Sequence, residues 1–227
     1  MSHDGCWRYG RAVAQLPEPG PSERINLGDP TEPRAAATVI LLRDSEADGS
    51  LEVLLLRRSE NARFMPNVWV FPGGALDPED GDGIDGLKTC AIRELHEEAG
   101  VELDPSTRLV PLARWVTPEV IKTRFDTWFF LAESPAGIEV VPDGTEMTAE
   151  RWVSPKQALA EYEAEEFAIV FPTVKQLEAL VPSGDTATAM AAAEADPNSS
   201  RQVLPKVIGD ERHHRVVLPH EDDYPVD

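Results

Sequence analysis

The chain has few cysteines and no long apolar run, and each shortage excludes a class of protein. Cys6 and Cys90 are the only cysteines among 227 residues, too few for a disulfide framework or a cysteine-rich zinc site. Such low cysteine usage suits a reducing compartment. No apolar stretch approaches the roughly 20 residues that a membrane-spanning helix needs, and residues 1–16 do not have the apolar core of a signal peptide. We therefore expect a cytoplasmic protein.

Basic residues are also scarce relative to acidic ones. The sequence has 21 lysines and arginines against 41 aspartates and glutamates, for a formal net charge of −20. Because a surface this acidic repels polyanions at long range, we expect neither a nucleic acid nor a membrane surface as a partner. A small anionic substrate is compatible with this charge where a local basic patch or a cation neutralises it.

Three segments of the sequence differ in composition. Residues 1–34 become rich in proline and predict an irregular N-terminal arm. Residues 35–181 combine strand and helix patterns and predict one domain of mixed α/β class with a mixed sheet. Residues 182–227 predict a linker, in which 187–195 could be helical, and then a C-terminal strap or short hairpin. The predicted strands cover 35–43, 51–58, 68–71, 109–116, 123–131 and 150–153, and the predicted helices cover 85–99, 155–163 and 173–180.

The predicted helix 85–99 carries three acidic residues on one face. Glu94, Glu97 and Glu98 stand at positions i, i+3 and i+4, so their carboxylates emerge close together. Like charges at this spacing destabilise a helix, the more so towards its C-terminal end, which indicates that a cation offsets them. Clustered carboxylates suit Mg²⁺ or Mn²⁺ better than zinc. A solvated acidic face is the alternative in a chain with 41 acids.

The residues around this acidic face resemble the Nudix box. Residues 71–74 read Phe-Pro-Gly-Gly, and residues 93–101 match the second half of the box, Arg-Glu-apolar-any-Glu-Glu-any-Gly-apolar, at every specified position. The first half differs, because ten residues separate Gly74 from Asp85 where the family usually has five, and Asp replaces Glu. Three residues are therefore candidates for the first acidic position of the box: Asp77, Glu79 and Asp85.

This resemblance implies an α/β/α sandwich around a mixed β-sheet. It also implies hydrolysis of a nucleoside diphosphate linked to another group, with Mg²⁺ or Mn²⁺ required. Matched position by position, the metal-binding residues would be Gly74, Glu94, Glu97 and Glu98. Nudix proteins are often homodimers, so the resemblance also implies a homodimer. The expected binding partner is a small nucleotide-diphosphate substrate.

Two further roles follow from the same resemblance. Arg93 matches the box arginine, which pairs with an acid and so holds the helix and its carboxylates in place. The general base that takes a proton from the attacking water is open between Glu97, Glu98 and Glu146, an acid of a later loop. Glu146 is our preferred candidate.

The segment before the box is similar to the signature of coenzyme A diphosphatases. Arg58, Ser59 and Arg63 match it, whereas Leu56 replaces a Thr and Asn67 replaces a Gly. The enlarged box loop is also similar to the coenzyme A-cleaving branch. We expect coenzyme A or acyl-coenzyme A as the substrate; the alternatives are ADP-ribose, NADH, nucleoside triphosphates, or a non-catalytic module that senses a nucleotide. The expected substrate-binding residues are Arg58, Arg63, Gly73, Gly74 and Arg124.

Overall fold

A computed structural model of the chain describes residues 26, 28–62, 65–209 and 214–225. The strands are β1 (Arg34–Asp44), β2 (Leu51–Arg58), β3 (Trp69–Val70), β4 (Gly73–Ala75), β5 (Val110–Val116), β6 (Phe125–Glu133), β7 (Met147–Val153), β8 (Gln202–Val203), β9 (Lys206–Gly209) and β10 (His214–Val217). The helices are α1 (Gly83–Ala99), α2 (Pro155–Glu163), α3 (Phe171–Leu180) and α4 (Thr186–Ala195), and a short 3₁₀ turn (Pro78–Asp80) precedes α1.

Strand β1 is the centre of a mixed sheet. It pairs in parallel with β6 and antiparallel with β2 and β4. The main path of the sheet runs β3-β2-β1-β6-β5-β8, with β7 joined to β2. Strands β9 and β10 form a separate antiparallel hairpin, in agreement with the hairpin predicted for the C-terminal segment.

Alternate residues of β1 face two different cores, because successive side chains of a strand point to opposite sides of the sheet. Ile40 and Leu42 pack in the core that also contains apolar residues of α2, α3 and α4. Val39 and Leu41 pack in the core on the α1 side. With helices on both faces of a mixed sheet, the predicted α/β/α sandwich is confirmed.

Several element boundaries differ from the prediction. Helix α1 begins at Gly83 after the N-cap residue Asp82, so Asp85 lies in its first turn and is not its cap. Strand β7 begins at Met147, three residues earlier than predicted, because it pairs with β2 as far as Arg58. Neither boundary change moves the three glutamates off the helix.

The segment predicted to be a linker contains helix α4. The side chain of Asp185 accepts a hydrogen bond from the backbone N–H of Thr188 and caps this helix. Ala189 and Met190 of α4 pack in the same core as α2 and α3, and Leu218 reaches that core from the C-terminal segment. Residues after 181 therefore contribute to the interior of the domain. No helix within the described ranges is long and apolar enough to cross a membrane.

Candidate active site

Helix α1 presents its three glutamates at one edge because its apolar stripe faces the sheet. The stripe consists of Leu87, Ala91, Leu95 and Ala99, all buried in one core. Beside it the exposure of the acids increases in steps. Glu98 is only 6% exposed, the side chain of Glu94 is 15% exposed, and that of Glu97 is 57% exposed. One carboxylate is therefore buried, one is half-buried and one reaches solvent.

The glycine loop contacts the two less exposed acids directly. The backbone N–H of Gly73 donates a hydrogen bond to Oε2 of Glu98 at 3.0 Å. Gly74 lies so close to Glu94 that a Cβ on this glycine would come within 2.3 Å of Oε1 of that carboxylate. Any other residue at position 74 would push Glu94 away. The requirement for glycine here comes from close approach to a carboxylate, and the φ of this residue is not in the left-handed region.

Arg93 links the acids of the helix to the loop before it. Its Nε and Nη2 atoms donate to the two carboxylate oxygens of Asp80 at 2.9 and 3.0 Å, the two-pronged geometry that arginine and carboxylates favour. Its Nη1 atom donates to Glu94 at 2.8 Å and to Glu97 at 3.0 Å. One guanidinium therefore fixes the relative positions of three carboxylates.

The main partner of Arg93 is Asp80, and none of the three acids that the sequence suggested for the first acidic position takes that place. Asp77 is 3.8 Å from Nη2 of Arg93, whereas Glu79 and Asp85 are exposed. The longer box loop forms a 3₁₀ turn that directs the Asp80 carboxylate inwards, where it also accepts from the backbone N–H of Asp77. The Asp-Pro-Glu-Asp sequence of this turn is a capping signal that could have identified Asp80.

Burial dominates the electrostatics of this group. It raises the pKa of Glu98 to about 8, and the charges of Glu94 and Glu146 act in the same direction, while the Gly73 N–H and the Arg58 guanidinium oppose it. Burial also raises the pKa of Glu94, against the effect of the Arg93 hydrogen bond. Because these carboxylates are costly to ionise alone, a cation beside them would stabilise the ionised forms.

The carboxylates at this edge are donors of the kind that a hard divalent cation binds, although they do not converge on one point. Arg93 Nη1 lies within hydrogen-bond distance of both Glu94 and Glu97. In the described part of the chain no three His, Cys, Asp or Glu side chains converge as a metal-binding group. The fit rests on the chemistry of the donors: carboxylate oxygens on one helix edge, including a buried one whose pKa is raised, suit Mg²⁺ or Mn²⁺.

Other predicted site residues lie at the same edge. Arg58 ends β2 and its charge acts on Glu98. The backbone N–H of Ser59 donates to the carbonyl of Glu146 at 2.7 Å, so the loop that carries Glu146 touches the end of β2. Asn67, which stands where the coenzyme A signature has glycine, has a left-handed φ of 62°, a conformation that glycine adopts freely and asparagine tolerates. Arg63 lies outside the described residues.

Arg124 is placed elsewhere, and its predicted role in substrate binding is corrected. The residue is only 7% exposed. Its Nε donates to the carbonyl of Thr117 at 2.9 Å, and its Nη1 donates to the carbonyl of Thr31 at 2.6 Å. These bonds fasten the segment before β1 to the connection between β5 and β6. The sequence shows that residue 124 is basic, but it does not distinguish an arginine buried against backbone carbonyls from one that binds a ligand.

We expect Asp80→Asn to destabilise the protein by roughly 1–3 kcal/mol at pH 7, because it weakens charge-assisted hydrogen bonds of Arg93. The Arg93 hydrogen bond holds the pKa of Asp80 below its ordinary value of 3.8. Its stabilising effect is therefore complete above the unfolded-state pKa and is lost as the pH falls through the folded-state pKa. Urea unfolding at pH 7, 5 and 3 should show a stability difference between wild type and variant that shrinks only in the most acidic sample.

The matched control for this measurement is Asp85→Asn in the first turn of the same helix. Because Asp85 is exposed, we expect a change within about 0.5 kcal/mol. A larger loss for Asp85→Asn than for Asp80→Asn would contradict the pairing described above.

We expect Gly74→Ala to weaken Mn²⁺ binding by roughly 10- to 100-fold, the range typical of residues that orient metal ligands. The new methyl group would displace the Glu94 carboxylate. Isothermal titration calorimetry measures the effect, with Gly184→Ala as the control because a Cβ there meets no atom within 4 Å. Equal Mn²⁺ affinity in both variants would show that the contact between Gly74 and Glu94 has no part in metal binding.

Comparison with known proteins agrees with this architecture. The m7GpppN-mRNA hydrolase NUDT17 of Bos taurus is 30% identical over 137 residues, which cover 50% of this chain and 42% of that protein. The peroxisomal coenzyme A diphosphatase ndx-8 of Caenorhabditis elegans is 47% identical over 68 residues, which cover 29% of this chain and 26% of that protein. The chain thus spans less than half the length of these curated relatives.

A solved structure matches over a larger share of the chain. The crystal structure of a NUDIX hydrolase from Alicyclobacillus acidocaldarius superposes with a TM-score of 0.64 at 28% identity, over 74% of this chain and 99% of that one. The sequence model of the NUDIX domain matches residues 32–174. Since that match extends over more than half of the 227 residues, this chain belongs to the NUDIX domain family.

Proposed function

We propose that this protein hydrolyses a pyrophosphate bond in a substrate that joins a nucleoside diphosphate to another group, with Mg²⁺ or Mn²⁺ required. The observation that carries the proposal is the buried carboxylate of Glu98, which accepts a hydrogen bond from Gly73 and stands beside Glu94. Burial and the neighbouring Glu94 charge make ionisation of Glu98 costly, and a bound cation would offset that cost. The family supports the same chemistry, because NUDIX hydrolases act on pyrophosphate bonds and generally use divalent metal ions.

The residues of the chain divide the work of such a reaction. Glu94, Glu97 and Glu98 would hold the cation, and a cation in this place supplies charge neutralisation for the phosphate oxygens and a more acidic water. Arg93 keeps the carboxylates in register through Asp80. The attacking water forms a bond to one phosphorus while the bond from that phosphorus to the bridging oxygen breaks, and the proton of the water passes to a carboxylate.

We assign the role of general base to Glu146. Glu98 is buried and bonded to Gly73, and Glu97 is bonded to Arg93, so both carboxylates already have hydrogen-bond partners within the box. Glu146 is exposed, and its charge is close enough to Glu98 to raise the pKa of that residue. We therefore infer that the Glu146 carboxylate takes the proton of the attacking water.

Coenzyme A or acyl-coenzyme A is the substrate that we favour. Arg58 and Ser59, which match the coenzyme A signature, lie at the end of β2 beside the Glu146 loop. A basic residue there can bind phosphate in a chain that is otherwise strongly acidic. The similarity to ndx-8, a coenzyme A diphosphatase by name, points the same way. Arg63 and the glycine loop complete the set of proposed substrate-binding residues. The homodimer implied by the family resemblance stays a prediction.

A capped RNA is a second candidate, because the similarity to the m7GpppN-mRNA hydrolase extends over 137 residues. The cap also contains a chain of phosphates between two nucleosides. The formal net charge of −20 argues against this candidate, since it disfavours contact with the RNA backbone that follows the cap.

A substrate panel tests the proposal. Purified protein with Mg²⁺ or Mn²⁺ should cleave coenzyme A into a phosphopantetheine product and adenosine bisphosphate, with a higher kcat/KM than for ADP-ribose, NADH, nucleoside triphosphates or a capped RNA. Chromatography of the nucleotide products measures each rate. If coenzyme A is cleaved no faster than ADP-ribose, the substrate assignment is wrong. If no member of the panel is cleaved, the protein is not a hydrolase of this class.

We expect Glu97→Gln to lower kcat by roughly three orders of magnitude or more, because it removes one charge from the group that holds the cation. The free energy of unfolding should change by less than about 1 kcal/mol, because the ion pair between Glu97 and Arg93 is open to solvent on the Glu97 side. Steady-state kinetics and urea unfolding measure the two quantities.

The matched control is Glu102→Gln, which changes an exposed glutamate just beyond the same helix and should leave kcat unaltered. An unchanged kcat in Glu97→Gln itself would mean that the acidic face of α1 is only solvated.

A further inference from the structure

The loop that carries Glu146, residues 141–147, is attached to the end of helix α1. The last carbonyls of a helix have no partner within it. In this protein the backbone N–H of Val141 donates to the carbonyl of Ala99 at 2.8 Å, and that of Asp143 donates to the carbonyl of Glu98 at 3.2 Å. The 141–147 loop therefore caps the same helix end that bears the buried acid of the site.

Asp143 organises this loop with its side chain. Its carboxylate accepts hydrogen bonds from the backbone N–H groups of Thr145 at 3.2 Å, Glu146 at 3.0 Å and Met147 at 2.7 Å. The hydroxyl of Thr145 donates to it as well. Three successive N–H groups directed at one carboxylate leave the backbone of Glu146 little freedom.

The other side of Glu146 is fixed by the sheet. Its carbonyl accepts from the N–H of Ser59, and the next residue, Met147, pairs with Arg58 where β7 meets β2. Asp143 thus stands at the junction between the end of α1, the end of β2 and the loop. The Asp143 side chain is hydrogen-bonded to the loop that carries Glu146, whereas the carboxylates of α1 are bonded to Gly73 and Arg93.

We propose that Asp143 is a positioning residue, which acts through Glu146 by holding that carboxylate where it can take the proton of the attacking water. The inference rests on the proposed function and on the assignment of Glu146 as base. General bases contribute about 10²- to 10⁴-fold to a rate, and a displacement of about 1 Å can lose a factor of roughly 100. Loss of Asp143 should therefore lower kcat by roughly 10- to 100-fold.

A double-mutant cycle tests this coupling with coenzyme A and with ADP-ribose as substrates. Asp143→Ala should lower kcat and leave KM within about twofold, and Asp143→Asn should restore part of the rate because its carbonyl oxygen still accepts hydrogen bonds. Glu146→Gln should lower kcat further. In the Glu146→Gln background, Asp143→Ala should change kcat by less than about twofold, because there is no longer a base to position.

Mn²⁺ affinity and a matched control separate positioning from loss of structure. The Kd for Mn²⁺ should be the same in wild type and Asp143→Ala, whereas a general loosening of the end of α1 would weaken it. Asp48→Ala removes a similar carboxylate, which accepts hydrogen bonds from the N–H and the hydroxyl of Ser50. Asp48 lies in the turn between β1 and β2, at the other end of β2 from Arg58. The Asp48→Ala variant should keep the wild-type kcat.

Different contrary results would overturn the positioning role, the assignment of the base or the proposed function. Equal losses of kcat from Asp143→Ala in both backgrounds would overturn the positioning role, as would weaker Mn²⁺ binding or an unchanged rate in the single variant. If Asp143→Ala does not fold, Asp143→Asn takes its place in the same cycle. A wild-type protein that cleaves neither substrate would overturn the proposed function and this inference with it. An active enzyme whose Glu146→Gln variant keeps its kcat would overturn the assignment of Glu146 as base and this inference, and would leave the proposed hydrolysis standing.

Discussion

The burial of a carboxylate at the end of a helix is the constraint on which the site depends. Glu98 is held between α1 and the glycine loop, with the N–H of Gly73 as its hydrogen-bond donor. One donor is weak compensation for removing a carboxylate from water, and the helix end itself disfavours an anion. The cost is met either by protonation, which the raised pKa of about 8 favours, or by positive charge, which Arg58 supplies in part and a divalent cation would complete.

Arg93 compensates and positions the other acids of the site. Its guanidinium is bonded to Asp80 on one side and to Glu94 and Glu97 on the other. Asp80 orients the arginine, and the arginine holds two carboxylates that would otherwise repel one another. In this arrangement the guanidinium stands in for part of the charge that a metal ion provides. Glu94 and Glu97 are the carboxylates that would hold a cation together with Glu98, and a cation would supply the rest of the charge.

The sequence predicted the features that depend on local periodicity and missed those that depend on packing. The stripe of Leu87, Ala91 and Leu95 was enough to predict α1 and to place its glutamates on one face. The strand and helix patterns predicted a mixed α/β domain with a mixed sheet, and the resemblance to the Nudix family implied the sandwich. Asp80 was missed because spacing along the chain does not report how an enlarged loop folds back. Arg124 was assigned to the substrate because a basic residue has the same appearance in the sequence whether it is buried or facing a ligand. Asp143 was missed although Asp-Gly-Thr is a turn pattern in which the carboxylate binds the N–H groups that follow it, because the sequence does not show that this loop caps the end of α1.

The clamp made by Arg124 links parts of the chain that are far apart in sequence. A buried guanidinium bonded to the carbonyls of Thr31 and Thr117 needs both acceptors, because an unpaired buried charge is expensive. The peptide that enters β1 and the connection that leaves β5 are therefore coupled through one side chain. An insertion or deletion in one would be tolerated only alongside a compensating adjustment in the other. The contacts that hold the domain together therefore include residues before the first strand, which supply the Thr31 carbonyl.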